Sequence, residues 1–259
     1  MIRNAKFLTF PLLAFLSSAP QAFGQMVAVP SKLCSTSFPS DARIAWTCAQ
    51  AKNEKALTDL GPRMLDVMRF NRIDRLHALQ GTYLKIPVRM DDVINFTPLP
   101  AKLEQAVAWP RYIFIDRSEE FLGAYEFGVL KFSLPVASGF GVSTPTGTFK
   151  VLGRNRWAAS TIYPIHGTNI PYPMYWGIKF HLTPRGVSLW LHSRDLPGYP
   201  ASHGCVGLYD EEMEQKFFGY PPDPQMMDSK RLYQWVFGTD AEASREYPGG
   251  MDGILIEIK

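Results

Sequence analysis

The chain has 259 residues, a formal net charge of +3, and 46% hydrophobic against 20% charged residues. That length holds one large domain or two small ones, and the composition excludes a disordered or fibrous chain. The charge is mild and no Lys/Arg run occurs, so nothing in the sequence points to nucleic acid.

The amino terminus reads as an export signal. Arg3 and Lys6 precede an apolar run over residues 7–16, and Ala22-Phe23-Gly24 fits a cleavage site before Gln25. Residues 1–24 are therefore expected to be removed. An uncleaved anchor is the alternative, although Pro11 interrupts the run and its length is short for a span. No other segment reaches spanning length, so no stable membrane span is expected after cleavage. Of the three cysteines, Cys34 and Cys48 are close in sequence and are expected to pair in an exported protein; two buried thiols are the alternative. Cys205 is then left over.

Residues 25–42 read as a tail. Residues 43–49 alternate, with Ile44, Trp46 and Cys48 on one side, which predicts a strand. Residues 54–60 predict a short helix ended by Gly61-Pro62. Residues 63–71 predict a second, with Met64, Leu65, Val67, Met68 and Phe70 on a broad apolar face. His77 is expected at the surface, and residues 81–87 predict a turn and a strand. Residues 91–105, with Pro98 and Pro100, read as a linker.

From residue 106 the pattern turns to short strands. They are expected at 112–116, 124–130, 134–138, 149–152, 176–181 and 186–192, with closing strands at 232–237 and 254–258. Turns are expected at 119–123, where Phe121 and Leu122 pack, and at 143–147. Residues 211–218 begin with acids and predict a helix. Residues 153–175 are polar and aromatic with several prolines, and read as a long functional loop. The fold class is mainly β: a sandwich or barrel-like sheet preceded by a small α/β module.

The chemistry concentrates in Ser202-His203-Gly204-Cys205-Val206, with a histidine upstream in Leu191-His192-Ser193. A cysteine is the best side-chain nucleophile at neutral pH, and a nearby imidazole activates it. A glycine before it lets backbone amides approach a developing oxyanion. His192, Gly204 and Cys205 thus supply the base, the close approach and the nucleophile of an acyl transfer. A metal would need three or four suitably spaced ligands, and His192, His203 and Cys205 lack a further partner.

Three segments carry a family resemblance: Thr144-Pro-Thr-Gly-Thr-Phe149, Leu191-His192-Ser193, and Pro197-Gly198-Tyr199-Pro200-Ala201-Ser202-His203-Gly204-Cys205. In this order and spacing they resemble the L,D-transpeptidase catalytic domain of YkuD type, over residues 106–259. Residues 43–90 resemble a degenerate LysM module, a fold that binds peptidoglycan glycan; a packing domain that only supports the catalytic one is the alternative.

The resemblance implies a periplasmic enzyme acting on peptidoglycan stem peptides without a cofactor. Cys205 is the implied nucleophile and His192 the base, held by a nearby backbone carbonyl, with Asp195 as a weaker orienter. His203 and Gly204 shape the oxyanion site, with Ser202 hydrogen-bonded inside the loop and Ser193 beside the base. The long loop lies over the site as a lid, and Tyr175 and Trp176 are expected to wall the substrate stem. Ile165-His166-Gly167-Thr168 is a tetrapeptide many relatives carry around the catalytic histidine, but His166 lies 39 residues before Cys205, too far for the family spacing. His181 reads as structural.

One departure stands out. In the family that the chain resembles, most members carry an arginine two residues after the cysteine, where this chain has Gly207. Arg194 or Arg185 is the expected replacement. The implied reaction is cross-linking with loss of a terminal D-amino acid, open to carbapenem acylation. Hydrolysis by the same chemistry, wall-protein attachment or release, and non-catalytic wall binding are the alternatives.

Overall fold

The computed structural model describes residues 29–51 and 53–259. The signal-peptide expectation for residues 1–24 lies outside the described residues. No helix among those described is long and apolar enough to cross a membrane.

The amino-terminal module is built from β1 (Trp46–Gln50), α1 (Glu54–Thr58), α2 (Met64–Phe70), α3 (Arg75–Ala78) and β2 (Tyr83–Pro87). β1 and β2 pair antiparallel, with Trp46 opposite Pro87 and Gln50 opposite Tyr83. The Asn53 side chain caps α1 and the Asp74 side chain caps α3, each accepting a backbone N–H that the first turn leaves without a partner. Val67, Met68 and Phe70 of α2 are fully buried with Leu33, Leu57 and Leu84 in the module's own core. Cys34 and Cys48 are joined by a disulfide, which ties the tail to β1.

The second unit is one curled ten-stranded sheet. Its strands are β3 (Arg111–Asp116), β4 (Phe121–Glu126), β5 (Val129–Ala137), β6 (Gly147–Lys150), β7 (Gly153–Pro164), β8 (Pro171–Leu182), β9 (Ser188–Ser193), β10 (Val206–Leu208), β11 (Ser244–Glu246) and β12 (Ile254–Ile258). The order across the sheet is β11-β7-β8-β9-β10-β5-β4-β3-β12-β6. Curling brings its distant members together, so that Phe149 of β6 meets Phe180 of β8 edge-on at 5.4 Å. Ile113, Ile115, Leu122 and Ile256 then share one core with Ile178, Phe180, Leu191 and Val206. The mainly β, sandwich-like architecture expected from the sequence is the one observed.

Several elements differ from expectation. Residues 124–130 are not one strand: β4 ends at Glu126, Phe127 and Gly128 turn the chain with positive φ, and β5 begins at Val129. The amino-terminal module has a third helix, α3, beyond the two expected. Residues 153–175 are not an irregular loop: β7 and β8 are long antiparallel strands, irregular between Ala159 and Pro164. Residues 232–237 are not a strand but the end of α5 (Asp228–Phe237), whose buried Leu232, Tyr233 and Val236 recur at helical spacing. Residues 121–123 open β4 rather than lying in a turn, although Phe121 and Leu122 are buried as expected. The helix expected at 211–218 is α4 (Glu211–Phe218), capped by the Asp210 side chain at one end and by left-handed Gly219 at the other.

Candidate active site

The site lies where β9 and β10 run parallel, with Leu191 opposite Val206 and His192 opposite Gly207. The strap between them, residues 194–205, returns the chain to the start of β10. Parallel pairing therefore places Cys205, just before β10, beside the end of β9, and the Trp190 N–H points at Cys205 Sγ at 3.4 Å. His192 and Cys205 line one cavity of about 1040 Å³.

His192 is 5% exposed, and its Nδ1 lies 2.7 Å from the Ser193 carbonyl oxygen. A carbonyl only accepts, so Nδ1 carries the proton and Nε2 is the nitrogen able to take one. Burial lowers the His192 pKa to about 4 and raises that of Cys205 to about 11. Both groups are thus neutral at rest near pH 7, because the low-dielectric site disfavours either charge.

The loop carrying Cys205 is held from two sides. Ser202 Oγ accepts the Gly204 N–H at 3.1 Å. Buried Thr144 donates its hydroxyl to the Gly204 carbonyl at 3.0 Å and accepts the Gly139 N–H at 2.7 Å. Gly204 has φ 138°, and a Cβ there would lie 2.9 Å from the Ser143 carbonyl oxygen. Only glycine fits this bend. The Gly204 amide is engaged within the loop, so the expectation of an oxyanion site narrows to the neighbouring amides of His203 and Cys205.

The expected replacement for the missing arginine has a structural counterpart. A Cβ on Gly207 would collide with Cβ, Cγ and Cδ of Arg194, whose stem fills the space a side chain at 207 would take. Arg194 Nη2 donates to the Ala201 carbonyl at 3.0 Å, and Arg194 lines the cavity. Arg185 also lines it, from the exposed β8–β9 turn.

Other sequence expectations are redistributed. Tyr175 and Trp176 are not among the cavity-lining residues: Tyr175 packs edge-on against Phe217 and Trp176 against Tyr233. From β8 it is Tyr172 and Met174 that line the cavity. The β7–β8 hairpin still walls the site, and Tyr163 near its tip stacks on the His203 ring, centroids 4.1 Å apart. His166 lines the cavity from that tip but is exposed, outside the parallel strand pair. His77 is not at the surface but fully buried. Thr144 and Tyr172 were missed as site residues; Thr144 opens the Thr-Pro-Thr-Gly-Thr-Phe segment, whereas Tyr172 carried no local signal. Among the described residues no group of His, Cys, Asp and Glu is arranged to hold a metal ion.

Residues 110–236 match the family model described as the YkuD L,D-transpeptidase catalytic domain. Among solved structures, L,D-transpeptidase 3 from Mycobacterium tuberculosis, in complex with a faropenem-derived adduct, is 16% identical at a TM-score of 0.37, covering 58% of this chain and 60% of that one. This chain therefore spans less than two thirds of that protein's length. An L,D-transpeptidase from Xylanimonas cellulosilytica is 17% identical at a TM-score of 0.42, covering 91% of this chain and 99% of that one. A comparison with curated protein sequences finds no match. Residues 110–236 are thus an L,D-transpeptidase catalytic domain of YkuD type.

Proposed function

We propose that this chain is a periplasmic peptidoglycan L,D-transpeptidase in which Cys205 is the nucleophile and His192 the general base. The observation that carries this is the His192 ring, fixed by the Ser193 carbonyl with Nε2 unprotonated, in the same cavity as the chain's free thiol. His192 Nε2 takes the thiol proton as Sγ attacks the carbonyl of the donor stem residue of L configuration, typically diaminopimelate at position three. The amides of His203 and Cys205 hold the oxyanion. The imidazolium returns its proton to the departing D-amino acid, leaving a thioester. The amine of a neighbouring stem then attacks; His192 takes its proton, and collapse releases the cross-link and the thiol. Because neither partner is charged at rest, proton transfer accompanies attack rather than preceding it.

Arg194 takes the place of the family arginine and reads a stem carboxylate. Replacing it with alanine removes a charge-assisted contact of about 1.5–3 kcal/mol, so kcat/KM should fall roughly 10- to 100-fold. Iodoacetamide alkylation of Cys205 should continue; unchanged kinetics on stem peptides would sink the assignment. Glycan binding by residues 43–90 belongs to the same proposal and rests on the resemblance to a LysM module, in which helices lie between two paired strands; here there are three, α1 to α3.

The test is mass spectrometry of mature protein incubated with disaccharide-tetrapeptide. A Cys205-dependent dimer that has lost D-alanine supports transpeptidation. Tripeptide alone supports the hydrolase reading, and a carbapenem adduct on Cys205 marks the nucleophile independently. No product and no adduct would favour a wall-binding protein.

A further inference from the structure

The strap that follows His192 is seated on the amino-terminal module. The Asp74 N–H donates to the Leu196 carbonyl at 2.9 Å, and Asp74 Oδ2 accepts the Leu196 N–H at 2.6 Å. Ile73 bridges Pro197 beside them. Behind this pairing runs a buried chain of polar side chains. Asp74 Oδ2 contacts His77 Nδ1, and His77 Nε2 faces Asp195 Oδ2 at 3.6 Å. The Tyr172 hydroxyl donates to Asp195 Oδ1 and accepts the Asp195 N–H at 3.3 Å. Asp74, His77 and Asp195 are each at most 1% exposed. The His77 ring therefore sits between two carboxylates from different parts of the chain, in contact with Asp74 and within ion-pair reach, though not hydrogen-bond distance, of Asp195.

This is more polar machinery than a docking contact requires. Burying two carboxylates and an imidazole is costly, and packed apolar side chains hold domains together as well. Its position supplies the reason. Asp195 and Leu196 are the second and third residues after Ser193, whose carbonyl fixes the His192 ring. Arg194 between them is held by its N–H to the Leu208 carbonyl at 2.8 Å. With residues 194–196 clamped from both sides, the Ser193 peptide has little freedom to turn, and the tautomer and aim of His192 follow.

We infer that Asp74 and His77 of the amino-terminal module, with Asp195 and Tyr172, are positioning residues for His192. The module is thus an integral part of the catalytic site, irrespective of any glycan it holds. The inference rests on His192 acting as the base of Cys205. It does not depend on the identity of the acyl donor.

The experiment uses the full mature chain and two readouts, kcat and KM on tetrapeptide substrate and the rate of Cys205 alkylation by iodoacetamide at pH 7. His77→Leu should lower kcat and alkylation roughly 10-fold with KM within twofold of wild type, and His77→Gln, which keeps hydrogen-bonding capacity, should recover most of the loss. Tyr172→Phe removes only the hydroxyl on Asp195 and should lower alkylation several-fold at a near-wild-type Tm. If His77→Leu does not fold, Tyr172→Phe decides the matter alone. Wild-type alkylation in a folded His77→Leu, or in Tyr172→Phe where His77→Leu fails to fold, overturns the inference. Absence of peptide turnover by wild type, with the alkylation differences intact, would overturn the transpeptidase reading and leave the positioning role standing.

Discussion

His192→Gln should leave the fold intact and slow acylation of Cys205 by a donor stem peptide by roughly 10²- to 10⁴-fold, the range that a positioned general base contributes. The side chain is buried at the end of β9, and glutamine of similar length fills the space without an unpaired charge. What is lost is the proton acceptor. The wild-type pH profile carries the same information. Burial holds the His192 pKa down to about 4, so the ring is neutral and able to accept a proton above that value. Acylation should persist down to about pH 5 and fall as pH drops through about 4, while the high thiol pKa gives no thiolate plateau near neutrality. Stopped-flow acylation across pH 3.5–9 checks both. A rate that is already halved near pH 6.5, the ordinary histidine value, would contradict the buried neutral base.

Gly204→Ala is the second large effect. At φ 138° a side chain is strained wherever it points, and here the new Cβ meets the Ser143 backbone, which cannot move as a side-chain tip would. Strain of this kind costs about 1–3 kcal/mol. The loop can relieve it only by shifting, which moves Sγ and the neighbouring amides. A shift near 1 Å costs on the order of 10²-fold in rate. We expect a Tm lowered by several degrees and acylation down about 100-fold, read by calorimetry and by carbapenem adduct formation. By contrast, Gly186→Ala lies at a turn where nothing stands within 4 Å of the added methyl, and it should leave acylation unchanged despite a positive φ of 77°. Equal losses in the two variants would show that the effect at 204 is general backbone strain rather than displacement of the nucleophile.

What was legible in the sequence was what is local. Cys205, His192 and the glycine between them and the loop sit in short segments whose residue types already state their chemistry. The helix at Glu211–Phe218 and the strand at Ile254–Ile258 declare themselves by acids at a helix start and by alternation. The β7–β8 hairpin was hidden because Pro164, Pro171 and Pro173 and its polar residues resemble loop composition, while pairing across the hairpin supplies what local propensity does not. Residues 232–237 form a short apolar run that periodicity assigns to either state; the start of α5 at Asp228 resolves it only once the fold is known. His77 shows the limit most plainly. Nothing near it in sequence signals burial, because one of its two carboxylates, Asp195, comes from the far side of the chain. That Arg194 could stand in for the arginine expected at position 207 was open to suspicion in the sequence, but only packing shows that its stem fills the space a side chain at 207 would take.

The most direct test of the central claim is intact-mass spectrometry of the mature protein quenched in acid during turnover of disaccharide-tetrapeptide. The expected result is a covalent adduct equal to the donor minus D-alanine, mapped by proteolysis to Cys205, labile to hydroxylamine as a thioester, and absent from Cys205→Ala. Product formation by Cys205→Ala at the wild-type rate, or a stable adduct on any other residue, would contradict it.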